Sequence, residues 1–264
     1  MHSKPKKRLG QNFLIDHNIR RKIVAACGLR KHDTVLEIGP GRGELTSLIA
    51  PAVENCIIVE IDRGLSAHLA SRFAGFDTVR LINQNILDVN PADFLTSPTQ
   101  KIIIVGNIPY YISSPILTYI IHHRHTISRA FLTVQKEFAQ RLLASPGSKS
   151  YGALSCYIQY YTDVSVLFHI KKTCFSPMPG VDSSFITLSV RDRPAVDVID
   201  EELFFKIIRR SFQQRRKTLK NSLKGLVSDS VFDHFVRTLH IPPNIRPEQL
   251  SLEAFAGLTA LQKK

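Results

Sequence analysis

A chain of 264 residues, 44% of them hydrophobic, holds enough apolar side chains for one core of ordinary size and a small satellite domain. No run reaches the roughly 18 unbroken apolar residues that a membrane span needs, and the basic start, Met1 to Gly10, has no apolar stretch behind it, so the expectation is a cytoplasmic protein without a membrane partner. The formal net charge of +13, from 35 Lys plus Arg against 22 Asp plus Glu, points to a polyanionic partner. The excess is concentrated: nine basic residues face the single Asp16 between Met1 and Lys31, and eight basic residues face no acidic one between Leu203 and Ser228. Cys27, Cys56, Cys156 and Cys174 have no CxxC spacing, which suggests neither a zinc site nor a disulfide framework and fits small buried residues in a reducing compartment.

In chain order, short β-branched runs alternate with amphipathic segments. Strands are expected over Thr34 to Ile38, Cys56 to Glu60, Val79 to Asn83, Lys101 to Gly106 and Arg129 to Gln135. Between them, Asp62 to Phe73 and Ser113 to His123 each open with a capping residue and read as helices. This is the βαβ pattern of an α/β fold with a mostly parallel sheet. Val164 to Ile170 and Ser184 to Val190 flank a turn holding Pro177, Pro179 and Gly180, and are expected to form an antiparallel pair closing one edge. A domain boundary is expected at 190/191, because Arg191 to Asp200 is charged, contains Pro194, and leads into purely helical patterns. Glu202 to Phe212, Arg215 to Gly225, Asp229 to Leu239 and Ser251 to Leu261 would make a small helical domain.

The first strand runs into Glu37-Ile38-Gly39-Pro40-Gly41-Arg42-Gly43-Glu44, a glycine turn that lets backbone approach a ligand. Its GxGxG spacing differs from the GxGxxG pyrophosphate turn and favours an adenosyl amino acid over NAD. Glu44 is expected in the first helical turn, stabilised by the helix dipole and without a catalytic role. Glu60 stands at the end of the second strand, 21 residues after Gly39, where a carboxylate can accept from both ribose hydroxyls. The plain alternative is an exposed loop acid, and the register behind the glycine turn argues against it. Asn85, past the third strand, is placed to reach the adenine ring of the cofactor.

Gly106-Asn107-Ile108-Pro109-Tyr110 follows the fourth strand and calls for a chemical reading. An adenine amino nitrogen is a poor nucleophile because its lone pair is delocalised, so acceptors aimed at its two N–H bonds favour the pyramidal, reactive form. The Asn107 side-chain oxygen and a backbone carbonyl freed by Pro109 suit that role, and Tyr110 can stack on the base. No general base is required. A loop with a buried aromatic and a turn proline is the bland reading of the same residues. Phe175, in a proline-stiffened loop, could cover the other face of the base, although taken alone a Phe beside a proline-rich turn is more often core packing, and the assignment leans on the resemblance below. His122, His123 and His125 lack the i, i+4 spacing of a helical zinc pair, and no metal is expected. A basic helix from Phe204 to Leu226 carries Arg215, Arg216, Lys217 and Lys220 without interspersed acids, and suits a phosphate-binding surface better than a solvated charge face.

Five segments, Gly10 to Leu14, Glu37 to Gly43, Asn107 to Tyr110 with Ile112 and Ser113, Phe175 to Ser183 and Gln214 to Thr218, together resemble the ribosomal RNA small-subunit adenine dimethyltransferase family over essentially the whole chain. The resemblance implies a seven-stranded class I methyltransferase sheet binding S-adenosylmethionine. It further implies transfer of four methyls to two adjacent adenosines near the 3′ end of small-subunit RNA, late in ribosome assembly, by a monomer acting on the small subunit. Carried onto this chain, the cofactor site would comprise Asn12, Leu14, Gly39, Gly41, Glu60, Asn85 and Asn107, with Pro109 beside it and Tyr110 and Phe175 holding the base. Two positions depart from the family pattern: Asn85 stands where Asp is usual, removing a charge, and Gly180 stands where a basic residue is frequent. Rival readings are the related large-subunit enzymes that confer antibiotic resistance and a non-catalytic nucleic-acid binder. The intact helical domain argues against the first and the intact Asn107 and glycine turn against the second. DNA-adenine and protein-glutamine methyltransferases carry Pro where this chain has Ile108.

Overall fold

A computed structural model describes residues 10–214 and 217–263. The chain divides into two compact units, Met1–Ala139 with Asp163–Val190, and Gln140–Thr162 with Arg191–Lys264. The first unit contains β1 (Phe13–Leu14), α1 (His17–Cys27), β2 (Thr34–Ile38), α2 (Thr46–Ile49), β3 (Asn55–Val59), α3 (Arg63–Arg72), β4 (Val79–Ile82), β5 (Ile102–Asn107), α4 (Ser113–His122) and β6 (Ile127–Gln135). After α5 (Lys136–Leu142) and α6 (Ala153–Tyr161) it resumes with β7 (Thr162–Ile170), β8 (Phe175–Ser176) and β9 (Ser183–Val190).

Seven strands form one sheet in the order β4-β3-β2-β5-β6-β9-β7. Its first five strands pair in parallel, and β9 runs antiparallel to β6. The central strand β2 is buried at all five residues, as a parallel strand covered on both faces must be. This is the mostly parallel sheet that the run spacing implied, with the seven strands that the family resemblance implied. The last two strands are neighbours as expected, with β9 inside and β7 on the edge. A second, two-stranded sheet was not anticipated: β1 pairs antiparallel with β8, setting Leu14 opposite Phe175. Asp16 caps α1 by accepting from Asn18 and Ile19 N, and Asp62 caps α3 likewise. Ser113 does not cap α4; it is the first helical residue, and no side chain caps that end.

The second unit gathers α6, α7 (Glu201–Phe212), α8 (Leu219–Ser222), α9 (Asp229–Leu239) and α10 (Leu252–Lys263). The expected boundary at 190/191 therefore has a companion, because Gln140–Thr162 leaves the first region and joins the helices. Aromatic packing explains it. Tyr157, Tyr160 and Tyr161 meet the Phe205 ring at centroid distances of 5.3, 5.1 and 5.8 Å, and Tyr160 and Tyr161 both donate to Glu201. A continuous basic helix to Leu226 is not formed. α7 stops at Phe212, and Thr218 opens a separate helix, α8, as its N-cap by accepting from Asn221 N.

Candidate active site

The carboxyl end of β2 turns sharply through Gly39, Gly41 and Gly43, whose φ values of 64°, 60° and 82° lie in the left-handed region. The three glycines differ in what surrounds them. A Cβ on Gly41 would come 3.0 Å from the Phe13 ring, and one on Gly43 would come 2.6 Å from Phe73, whereas around Gly39 there is open space. Gly39 is thus the position where the backbone is bare toward the cavity. Glu44 is not in the first helical turn, because α2 begins at Thr46; its carboxylate lies ahead of the helix and bridges Arg20 at 2.7 Å and Arg72 at 3.1 Å.

Glu60, just past β3, is 4% exposed. Its carboxylate accepts from Asp62 N at 2.8 Å and from Gly41 N at 3.3 Å. Burial pushes its pKa up, and those two backbone bonds oppose the shift by favouring the charged form. Glu37, buried within β2, accepts from Thr46 Oγ1 at 2.6 Å, and burial drives its carboxyl up to about 7 despite that bond.

Asn107 ends β5 and is half-buried. Its Nδ2 donates to the Asn12 carbonyl at 3.0 Å, which leaves Oδ1 as the acceptor of the side chain. The Pro109 carbonyl accepts from Ile112 N at 3.2 Å, so the Ile108 carbonyl is the backbone acceptor adjacent to Asn107. The Tyr110 hydroxyl shares a 2.7 Å bond with Ser183, which fixes the ring; burial raises its pKa. Tyr111 is 62% exposed at the same loop.

One cavity of about 320 Å³ brings most of the expected residues together. Asn12, Leu14, Gly39 and Gly41 line it from the amino-terminal segment and glycine turn, Glu60 and Asn85 from the ends of β3 and β4, and Asn107, Pro109 and Tyr110 from β5 and its loop. The Asn85 Oδ1 accepts from Leu87 N at 3.2 Å and so caps a short 3-10 turn. Phe175 is the exception: it is 3% exposed, packs in the core with Leu14, Ile170 and Phe185, and is not among the residues that line the cavity. The pairing of β8 with β1 turns its ring inward, a long-range contact that no local pattern announces.

Arg20, Ile61 and Leu87 line the cavity without having been anticipated. Ile61 and Leu87 are 53% and 42% exposed, and apolar side chains left bare at strand ends carry the signal that could have found them. Of the expected RNA-binding residues, Arg215 and Arg216 lie outside the described residues and Lys217 is exposed. Lys220 is paired with Asp233 at 3.1 Å and Asp229 at 3.4 Å, so the acids missing from its own segment come from α9.

The family model described as "Ribosomal RNA adenine dimethylase" matches residues 2–263. A protein of Moorella thermoacetica named "Ribosomal RNA small subunit methyltransferase A" is 43% identical over 265 residues, covering 97% of this chain and 91% of the relative. A protein of the same name from Macrococcus caseolyticus is 40% identical, with 98% and 90% covered. Among solved structures, a dimethyladenosine transferase from Plasmodium falciparum superposes with a TM-score of 0.75 at 24% identity, over 93% of this chain and 95% of that one. The 23S rRNA methyltransferase ErmE superposes with a TM-score of 0.74 at 23% identity, over 96% and 100%. These two share the fold of this chain.

Proposed function

The chain belongs to the ribosomal RNA adenine dimethylase family, and from that premise we propose that it methylates the N6 amino groups of two adjacent adenosines near the 3′ end of small-subunit ribosomal RNA during ribosome assembly, with S-adenosylmethionine as donor. The observation that carries this reading is the Asn107 amide. Its nitrogen is tied to Asn12, and its oxygen is available in a cavity that also presents Glu60 and the bare backbone of Gly39.

The residues fit the donor. Glu60 offers a buried carboxylate at ribose-hydroxyl position, and the open left-handed Gly39 leaves room where a side chain would fill the cradle. Ile61 and Leu87 offer apolar faces for an adenine ring. When bound, S-adenosylmethionine supplies an electrophilic methyl on its sulfonium. On the substrate side, Asn107 Oδ1 and the Ile108 carbonyl accept from the two N–H bonds of the target amine, drawing it toward the pyramidal form with its lone pair free. Tyr110, pinned by Ser183, holds the flipped base in line, and the methylated ammonium gives its proton to water.

A flipped adenosine costs least in a single-stranded loop, while phosphates at a distance from it would meet basic residues such as Lys217. Radiolabelled S-adenosylmethionine with small subunits lacking native dimethyladenosines, large subunits, duplex DNA and short oligonucleotides, followed by nucleoside analysis, tests the assignment. Label is expected as dimethyladenosine in small-subunit RNA. Label in large-subunit RNA alone would move the assignment to the resistance enzymes, and none anywhere would overturn catalysis.

A further inference from the structure

The segment Gly10 to Leu14 forms one wall of the cavity, yet its own backbone anchoring is short: β1 meets β8 over two residues, followed by Ile15 N donating to the Cys174 carbonyl at 2.8 Å. Phe13 adds a side-chain contact, lying against Gly41 with the Arg42 guanidinium 4.7 Å from its ring centroid. A further tie comes from α1. Arg20 is 7% exposed, and its guanidinium reaches back rather than out. Nε and Nη2 donate to the Leu14 carbonyl at 2.8 and 2.6 Å, and Nη1 donates to Glu44 at 2.7 Å. Glu44 is held in turn by Arg72 of α3, which also donates to the Arg42 carbonyl.

A buried guanidinium is costly unless its donors are satisfied, and a side chain serving only to pack α1 could be apolar. These donors instead go to two separate segments that both line the cavity: the Leu14 carbonyl of the amino-terminal segment and the Glu44 carboxylate of the glycine turn. We propose that Arg20 is a positioning residue for methyl transfer: its fork ties Leu14 to Glu44, closing the amino-terminal segment against the glycine turn. Leu14 and Asn12 thereby keep their places on the cavity wall, and the Asn12 carbonyl, 3.0 Å from Asn107 Nδ2, keeps the Asn107 oxygen directed to the substrate. One cation thus serves two tasks, donor affinity and orientation of the acceptor amide. The inference rests on the cavity being the S-adenosylmethionine site.

Equilibrium dialysis with radiolabelled S-adenosylmethionine, and initial rates on undermethylated small subunits, test it in the full-length protein well below the melting temperature of each variant. Arg20→Leu, close in apolar bulk, is expected to raise the donor Kd about tenfold or more, since charge-assisted bonds are removed. It should also lower kcat at saturating donor while leaving KM for subunits unchanged. Arg20→Lys keeps the charge near Glu44 without the fork and should recover part of the loss. Glu44→Gln should act in the same direction more weakly, and the double variant Arg20→Leu/Glu44→Gln should lose no more than Arg20→Leu alone. If Arg20→Leu does not fold, Arg20→Lys and Glu44→Gln decide by the same measurements. Donor Kd and kcat equal to those of the parent in folded variants, or losses that add in the double variant, would overturn the proposal. Failure of the unaltered protein to bind the donor would instead overturn the reading of the cavity itself.

Discussion

At the scale of single residues, the site combines an acceptor held in place with two buried carboxyls of different duty. Asn107→Ala removes the acceptor needed as the target amine pyramidalises, and we expect kcat at saturating donor to fall by about 10² to 10³ with the fold intact by circular dichroism. Unchanged turnover would reject the chemistry. Glu37 makes a second, opposite kind of statement. Its carboxyl is raised from 4.5 to about 7, so the folded protein holds a proton there that the unfolded chain releases. Stability from this group is complete below pH 4.5 and is lost as pH rises through about 7, a change on the order of 3 kcal/mol. Urea midpoints of the donor-free protein, compared with Glu37→Gln, should converge or cross as pH is raised from about 5 to about 8. A difference independent of pH would show that Glu37 stays ionised.

At the scale of elements, the glycine turn separates folding from binding. Gly43→Ala forces a left-handed alanine whose Cβ would lie 2.6 Å from Phe73, and should cost about 1 to 3 kcal/mol in thermal unfolding. Gly39→Ala meets no neighbour, so it should cost about 1 kcal/mol from the backbone alone while weakening donor binding more than Gly43→Ala does. The opposite ranking in binding would mean that Gly39 does not face the donor. Gly39, Glu60 and Asn107 were legible in the sequence because each sits a fixed step beyond a buried run, and the carboxyl ends of neighbouring parallel strands converge. Arg20 was not, because its partners, the Leu14 carbonyl and the Glu44 carboxylate, are brought to it only by the fold, and Phe175, open between core and site in the sequence, is turned inward by a β1–β8 pairing between residues some 160 apart in the chain. The basic segment misled for a related reason: its charges suggested a helix, while the Thr218 cap and the acids of α9, Asp229 and Asp233, decide what Lys220 does.

At the scale of the whole molecule, charge and connectivity make separate predictions. Neutralising Arg215, Arg216 and Lys217 should reduce the log–log salt slope of subunit binding by roughly 0.7 to 0.9 for each phosphate no longer engaged, whereas Lys220→Ala, already paired, should leave it unchanged. An unchanged slope in the triple variant would leave those residues facing solvent. Truncation after Val190 should yield an insoluble fragment despite retaining every strand among the described residues, because Tyr157, Tyr160 and Tyr161 would be deprived of the Phe204 and Phe205 rings that cover them. A soluble, cooperatively melting fragment would contradict that. The same interleaving bears on synthesis. β9 belongs between β6 and β7, yet it is the last of the described strands to be made, so β6 leaves the ribosome with the N–H and C=O groups of one edge unpaired through the whole of Gln140–Thr162. An open strand edge is an invitation to another chain, and closing it here waits on a pairing across about fifty residues. The nascent protein therefore passes through a window in which translation speed and chaperone capture, rather than the stability of the finished sheet, govern its yield.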